Sequence, residues 1–259
     1  MNPYQQFKSA CEQEVAQQGK DLELSERTRA WMNHANSLKY SYHYEWMGRP
    51  IIQYPQDIVG MQELIWRIRP DLIIETGVAH GGSLIFSASM LALLDMADAI
   101  ETGKTLDPAS SQRKVLGIDV DIRSHNLEAI KAHPMASRIQ LILGSSTTPE
   151  VVTLVREVAN KHNRVLVCLD SNHTHEHVLA ELEAYAPLVS VGSYCVVFDT
   201  IIEDLSPDSF PDRPWGKGNN PKTAVWKYVG SHPEYLIDRS VQDKLLITVA
   251  PDGFLKRTG

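Results

Sequence analysis

From Leu72 onward the chain alternates short apolar runs with amphipathic stretches at helical spacing, and this rhythm limits the fold more than any other feature. Residues 72–75, 115–118, 139–143, 165–169 and 194–197 are apolar nearly throughout, unlike strands that show one face to water. Between them, residues 82–96, 125–132, 149–162 and 175–185 read as helices. Strands without a polar face need cover on both sides, and helices crossing between parallel strands supply it. The pattern therefore predicts an α/β, doubly wound, Rossmann-like sheet. A helix at 221–228 follows, then two expected strands at 235–239 and 244–250 and the turn Pro251-Asp252-Gly253. Those two bring the expected sheet to seven strands.

Ahead of this rhythm, residues 3–18 have helical spacing with Gly19 placed to stop the helix, and 24–32 suggest a second helix. Residues 39–54 are aromatic and broken by Gly48 and Pro50, which reads as an ordered loop covering something. A helix at 56–68, ended by Pro70, leads into the sheet. The division expected is a helical arm with its cover loop at 1–55 and a sheet domain at 56–259. Two insertions interrupt the alternation, a polar loop at 99–113 and a Pro-, Gly-, Asp- and Asn-rich loop at 203–221. The second is long enough to serve as a lid.

Lys and Arg number 25 against 32 Asp and Glu, a formal charge of −7, so nothing draws the chain toward nucleic acid or an anionic membrane. A small-molecule partner suits it better. Cys11, Cys168 and Cys195 are odd in number and widely spaced, two of them inside apolar runs, as expected of reduced thiols. The Gln-rich start lacks the pattern of an export signal, and no run of eighteen apolar residues occurs. A cytoplasmic location is expected. The helical arm is the segment suited to homo-oligomer formation.

The sharpest local signal is Ile73-Ile74-Glu75-Thr76-Gly77-Val78-Ala79-His80-Gly81-Gly82-Ser83, a strand that ends in an acid and turns through small residues into a helix. Gly77 tolerates positive φ, Ala79 and Gly81 admit a ligand close to the backbone, and the helix start offers free N–H groups. Asp119 ends the next strand. A dinucleotide site wants its ribose acid about 20 residues beyond the glycines; Asp119 comes later, and Glu75 suits a pyrophosphate poorly. A nucleotide-type cofactor is expected on these grounds, with its identity open.

Glu75-Thr76-Gly77 with Gly81 resembles the first motif of class I S-adenosylmethionine-dependent methyltransferases. Trp46-Met47-Gly48-Arg49-Pro50, Gln53-Tyr54-Pro55-Gln56-Asp57, Leu169-Asp170-Ser171, Leu182 to Val189, and Asn220-Pro221-Lys222 with Ala224-Val225-Trp226 resemble a narrower group, the cephalosporin-hydroxylase family, which includes sugar O-methyltransferases. The resemblance runs from about Lys39 to the end. It implies S-adenosylmethionine held by Glu75, Gly77, Ala79, His80, Gly81, Ser83 and Asp170, Asp119 on the ribose, and Gly144-Ser145-Ser146 beside the adenine. It also implies O-methylation of a small polar metabolite, a sugar or natural-product intermediate.

Asp170 and Asp199 end the fourth and fifth strands, where a doubly wound sheet opens its ligand crevice. Two carboxylates there suit Mg²⁺, completed by Asn172 or water, because a hard cation prefers oxygen and polarises a bound alcohol. Metal-dependent relatives carry two adjacent oxygen-bearing residues at the second position, where this chain has Phe198-Asp199; Phe198 cannot ligate. The histidines at 173, 175 and 177 suggest zinc less well, since they straddle a loop and a helix start. His173 lies where related O-methyltransferases place their general base, and an imidazole suits proton acceptance near neutrality. Asp170 is expected to join it in catalysis. The aromatics Tyr40, Tyr42, Tyr44, Trp46, Trp215 and Trp226 are candidates for an acceptor pocket, and Arg49 and Lys217 for lid charges. Rival readings are a nicotinamide-dependent oxidoreductase on the same fold and a silent cofactor-binding protein, the second supported by Phe198.

Overall fold

The computed structural model describes residues 2–108 and 110–259; Met1 of the expected arm and Ala109 of the first insertion lie outside the described residues. The chain opens with α1 (Pro3–Gln18), started by a capping box between Asn2 and Gln5, and α2 (Leu22–Ser37), started by the Asp21 side chain on the Leu24 N–H. α1 buries none of its residues and is fastened by Gln18, whose amide donates to the Asp243 carbonyl at 2.6 Å. α2 runs beyond the expected 24–32 because Ala35 continues the buried stripe begun at Met32.

Residues 39–54, expected as a loop, hold a hairpin of β1 (Tyr44–Trp46) and β2 (Arg49–Ile51). Met47 and Gly48 both have positive φ, 48° and 81°, as a two-residue hairpin turn requires. Pro50 is tolerated because the pair stands apart from the main sheet. α3 (Pro55–Ile68) then starts on a proline and ends at Arg69 in the left-handed region, just ahead of Pro70.

The main unit follows as β3 (Leu72–Thr76), α4 (Gly82–Thr102), β4 (Lys114–Asp119), α5 (Ser124–Ala132), β5 (Ile139–Leu143), α6 (Pro149–Ala159), β6 (Val165–Leu169), α7 (His175–Tyr185), β7 (Tyr194–Val197), α8 (Pro221–Val229), β8 (Tyr235–Ile237), α9 (Arg239–Leu245) and β9 (Phe254–Arg257). The seven strands lie in the order β5-β4-β3-β6-β7-β9-β8. β3 to β7 run parallel, and β9 is antiparallel to both its neighbours. One apolar cluster, with Val155, Leu182 and Tyr228, fills the α6–α8 face, and another, with Leu64, Leu84 and Leu91, fills the α3–α4 face. α4 is long and apolar enough to cross a membrane, yet here it packs on the sheet through Leu84, Ile85, Ala88, Leu91 and Leu94.

The expected strand at 244–250 is a correction. Asp238 caps α9 through the Ser240 N–H at 3.2 Å, so helix replaces strand as far as Leu245. Past Leu246, with φ 58°, the chain is held by Asp57, which accepts from the Thr248 hydroxyl and from the Val249 N–H at 2.9 Å. The slot between β7 and β8 goes to Phe254–Arg257 instead. Seven strands remain, with a different last member.

Register sets the functional edge. Thr76 pairs with Ile118 on one side and Leu169 on the other, so Gly77, Asp119 and Asp170 emerge at one level. The sequence leaves β3 in opposite directions across the sheet here, the switch point where such folds open a crevice.

Candidate active site

The turn after β3 carries positive φ at Gly77 (88°), Ala79 (44°) and Gly81 (81°), with the Gly77 N–H donating to the Ile118 carbonyl at 2.8 Å. Neighbouring elements hold it from outside. Arg49 donates twice to the His80 carbonyl, at 3.1 and 2.6 Å, and once to Asn126 Oδ1 at 3.0 Å, while Asn126 Nδ2 donates to the Ala79 carbonyl at 3.0 Å. The hairpin lies close on α4, where a Cβ on Gly82 would sit 2.2 Å from the Pro50 carbonyl oxygen. Arg49 is thus a clamp on the turn and not a lid charge.

Between the hairpin's exit and this turn lies a cleft of about 550 Å³, lined by Pro50 to Gln53, Gly77 to His80, Gly82, Ser83, Asp119, Asp170 and Ser171. Asp119 Oδ2 accepts from the Val78 N–H at 2.8 Å and Oδ1 from the Asp121 N–H at 3.1 Å. Glu75 is buried beneath, takes a hydrogen bond from the Ser83 hydroxyl and is pushed up to about 8 by burial. Next to the cleft, and sharing Ile51, Gln53, Ser83 and Asp170 with it, a mainly apolar cavity is walled by Met61, Phe86 and Phe198, with the buried Asp57 and Glu75 also lining it.

Gly144 donates its N–H to the Asp119 carbonyl at 2.8 Å, which places the 144–146 turn beside the Asp119 end of the cleft without lining it. Ser146 Oγ instead lies 3.2 Å from His177 Nε2. That imidazole belongs to a second network, in which the Ser171 hydroxyl donates to Glu181 Oε1 at 2.7 Å and lies 3.1 Å from the same nitrogen.

At the other end, Asp170, His173 and Asp199 present ligand atoms all within 4.8 Å of one another. His173 Nε2 lies 3.1 Å from Asp199 Oδ2 and 3.7 Å from Asp170 Oδ1. Asp199, two residues past the end of β7, reaches this position through a left-handed backbone, φ 55°. Phe198 turns the other way into the apolar cavity, so it leaves a carboxylate cluster that His173 completes. Burial and the Asp199 charge raise Asp170 to about 7, against the lowering effect of His173. Burial disfavours the charged imidazole of His173, but Asp199 and Asp170 outweigh it and raise the group to about 9. The cluster therefore holds its own cation.

The other expected ligands go elsewhere. Asn172 Oδ1 accepts from the N–H and hydroxyl of Thr174, both at 2.9 Å, and caps a turn. His175 Nδ1 lies 2.8 Å from the Thr223 hydroxyl, and His177 faces Ser146 and Ser171, so the three histidines diverge and form no zinc site. Of the aromatics, Trp215 meets the site, its ring 4.8 Å from that of His173. Tyr40 meets Tyr44 and Trp31 edge-on and Tyr54 at a tilt, Trp46 stands edge-on to Phe86, and Trp226 donates to Asp252 at 3.1 Å.

A seven-stranded sheet with one antiparallel strand beside its last, a glycine turn after its first strand and an acid at the tip of the next define an α/β methyltransferase of class I type. The sequence pattern of the rhamnosyl O-methyltransferase/CmcI family matches residues 38–258. The chain belongs to that family. It is 31% identical over 206 residues to a rhamnosyl O-methyltransferase of Mycobacterium tuberculosis, covering 78% of this chain and 73% of the relative. With the rhamnosyl O-methyltransferase of Mycobacterium leprae it shares 28% over 219 residues, 82% of each chain. Among solved structures, the Mg-SAM form of CmcI superposes with a TM-score of 0.55 at 19% identity, over 84% of this chain and 78% of that one. The apo form of CmcI gives 0.53 at the same identity, over 84% and 77%. The protein is an O-methyltransferase, and neither the oxidoreductase nor the silent-binder reading finds support.

Proposed function

We propose that this enzyme transfers the methyl group of S-adenosylmethionine to a hydroxyl of a sugar or sugar-bearing small molecule, with Asp170, His173 and Asp199 as the acceptor-activating cluster. One observation carries the reading: Asp170 lines the cleft beside the glycine turn and also belongs to the cluster, so donor and acceptor chemistry meet at a single carboxylate. The Gly77–Ser83 turn, Asp119 and Asp170 would hold the cofactor, with Asp119 accepting from the ribose hydroxyls and Asp170 at the end where the methyl group is passed on. The mycobacterial relatives are named for a rhamnosyl acceptor, which supports a sugar here.

Two carboxylates at this spacing fit a hard divalent cation such as Mg²⁺, which Asp170 and Asp199 would hold. Such an ion supplies a positive charge that eases ionisation of an alcohol. His173 Nε2 takes the acceptor proton, and Asp199 and Asp170 stabilise the imidazolium that results. Trp215, on the 203–221 segment, forms a wall against His173 and excludes water from the reacting atoms. The rest is positioning, since a sulfonium is already a good leaving group and in-line approach is what the enzyme must arrange.

The test is methyl transfer from isotopically labelled S-adenosylmethionine to a panel of deoxysugar glycosides, with catechols as controls. Label in a sugar O-methyl ether is the expected result. Label in catechols alone would overturn the acceptor class.

A further inference from the structure

Gln53 stands between β2 and α3, only 7% exposed, and lines both the cleft and the apolar cavity beside it. Its Nε2 donates to Asp170 Oδ2 at 3.4 Å, and its Oε1 is buried without a hydrogen-bond partner. The amide turns its NH₂ end to Asp170 Oδ2, which leaves Oε1 on the side away from that carboxyl. A buried acceptor left open calls for an explanation, and at the wall of a ligand cleft the explanation is a donor on the ligand.

We propose that Gln53 is a cofactor-binding residue whose Oε1 accepts a hydrogen bond from the α-ammonium group of the methyl donor. The inference rests on the reading of the cleft as an S-adenosylmethionine site. The amino-acid end of that molecule needs N–H donors for its carboxylate and an acceptor for its ammonium. The donors are at the start of α4, whose N-cap Gly81 provides no side-chain hydrogen bond to the first turn, and Gly82 and Ser83 line the cleft. The acceptor has few candidates. Glu75 already receives the Ser83 hydroxyl, Asp119 receives Val78 and Asp121, and Asp170 faces His173 and Gln53.

Gln53 is also held where the task requires it. The segment before it rests on the Gly82 backbone, and Arg49 ties the hairpin to the His80 carbonyl, so the covering strand cannot swing away without releasing the glycine turn. One amide would thus join the methionyl end of the donor to the carboxylate that faces the acceptor.

The experiment is calorimetric titration of the wild type, Gln53→Leu and Gln53→Glu with S-adenosylhomocysteine and with its deaminated analogue. The wild type should prefer the amino-bearing ligand by roughly tenfold, as one charge-assisted hydrogen bond allows. Gln53→Leu should bind both equally, having lost affinity for the amino ligand alone, and Gln53→Glu should keep the preference because a carboxylate also accepts from an ammonium. A Gln53→Leu protein that retains the preference, or weakens both ligands alike, overturns the assignment. A wild type that binds neither ligand overturns the reading of the cleft, and this inference with it.

Discussion

Gly77 and Asp170 are packed back to back: a Cβ on Gly77 would lie 2.0 Å from the Asp170 carbonyl oxygen, and Gly77 has φ +88°. The cofactor turn and the acid that faces the acceptor are therefore one rigid unit across the β3–β6 pair. Gly77→Ala must push Asp170 outward and strain its own backbone, at a cost of about 1–3 kcal/mol or more. Urea unfolding should show the loss of stability, and turnover should fall with it. A wild-type midpoint with wild-type turnover would mean that the two segments move independently.

His173→Gln should lower the rate on the order of 10²-fold while leaving affinity for S-adenosylhomocysteine intact, as expected when only a proton acceptor is removed. Asp170→Asn should lose both turnover and the response to Mg²⁺. In the metal-free cluster Asp199 and Asp170 raise His173 to about 9, so at neutral pH only the minority of neutral imidazole can accept the proton. Activity in chelator should therefore rise with pH toward 9, and Mg²⁺, competing for the same carboxylates, should move that rise to lower pH. Superimposable pH–rate profiles with and without Mg²⁺ would remove the metal from the account.

The 203–221 segment is tied at its base, where Glu203 accepts from the Gly218 N–H at 2.8 Å and from the Asn220 side chain. Beyond that tie Arg213 precedes Pro214, which blocks trypsin, but Lys217, two residues from Trp215, precedes Gly218 and is cleavable. Bound cofactor and acceptor together should slow tryptic cleavage there, and Trp215→Ala should raise KM for the acceptor without changing cofactor affinity. Equal cleavage rates with and without both ligands would argue against closure.

Burial raises Asp57 to about 7, although Thr248 and the Val249 N–H oppose the shift. A folded-state value above the unfolded one means that the native protein binds the extra proton between about pH 4 and 7. The associated stability is present below that window and is lost as pH rises through it. Asp57→Asn carries no such proton, so the melting temperature of the wild type relative to the variant should fall from pH 4 to 7. A constant difference would show that Asp57 titrates normally.

Four of the five parallel strands are legible because strands buried on both faces are written as apolar runs; β5, at the sheet edge with Gln140 and Leu143 exposed, still shows through Ile139, Leu141 and Ile142. β9 is not legible, since Phe254-Leu255-Lys256-Arg257 is half basic while Leu245 to Ala250 has the stronger β character; Asp57 decides between them from a distant helix. The hairpin at 44–51 hid behind three-residue strands and Pro50. Strand-tip acids were legible because this topology gathers the strand ends along one edge, and the structure does bring Asp119, Asp170 and Asp199 there. Arg49, Asn126 and Gln53 act on backbone and side chains 31 to 117 residues away, and no local pattern announces such contacts.

The central claim is that the cleft between Gln53 and Asp119 binds S-adenosylmethionine, and calorimetry tests it most directly, with S-adenosylhomocysteine as ligand and NADH as control. The wild type should bind the first and not the second. Asp119→Ala should weaken that binding by about 1.5–3 kcal/mol through loss of a charged acceptor. Binding of NADH, or S-adenosylhomocysteine affinity unchanged in a folded Asp119→Ala protein, would contradict the account.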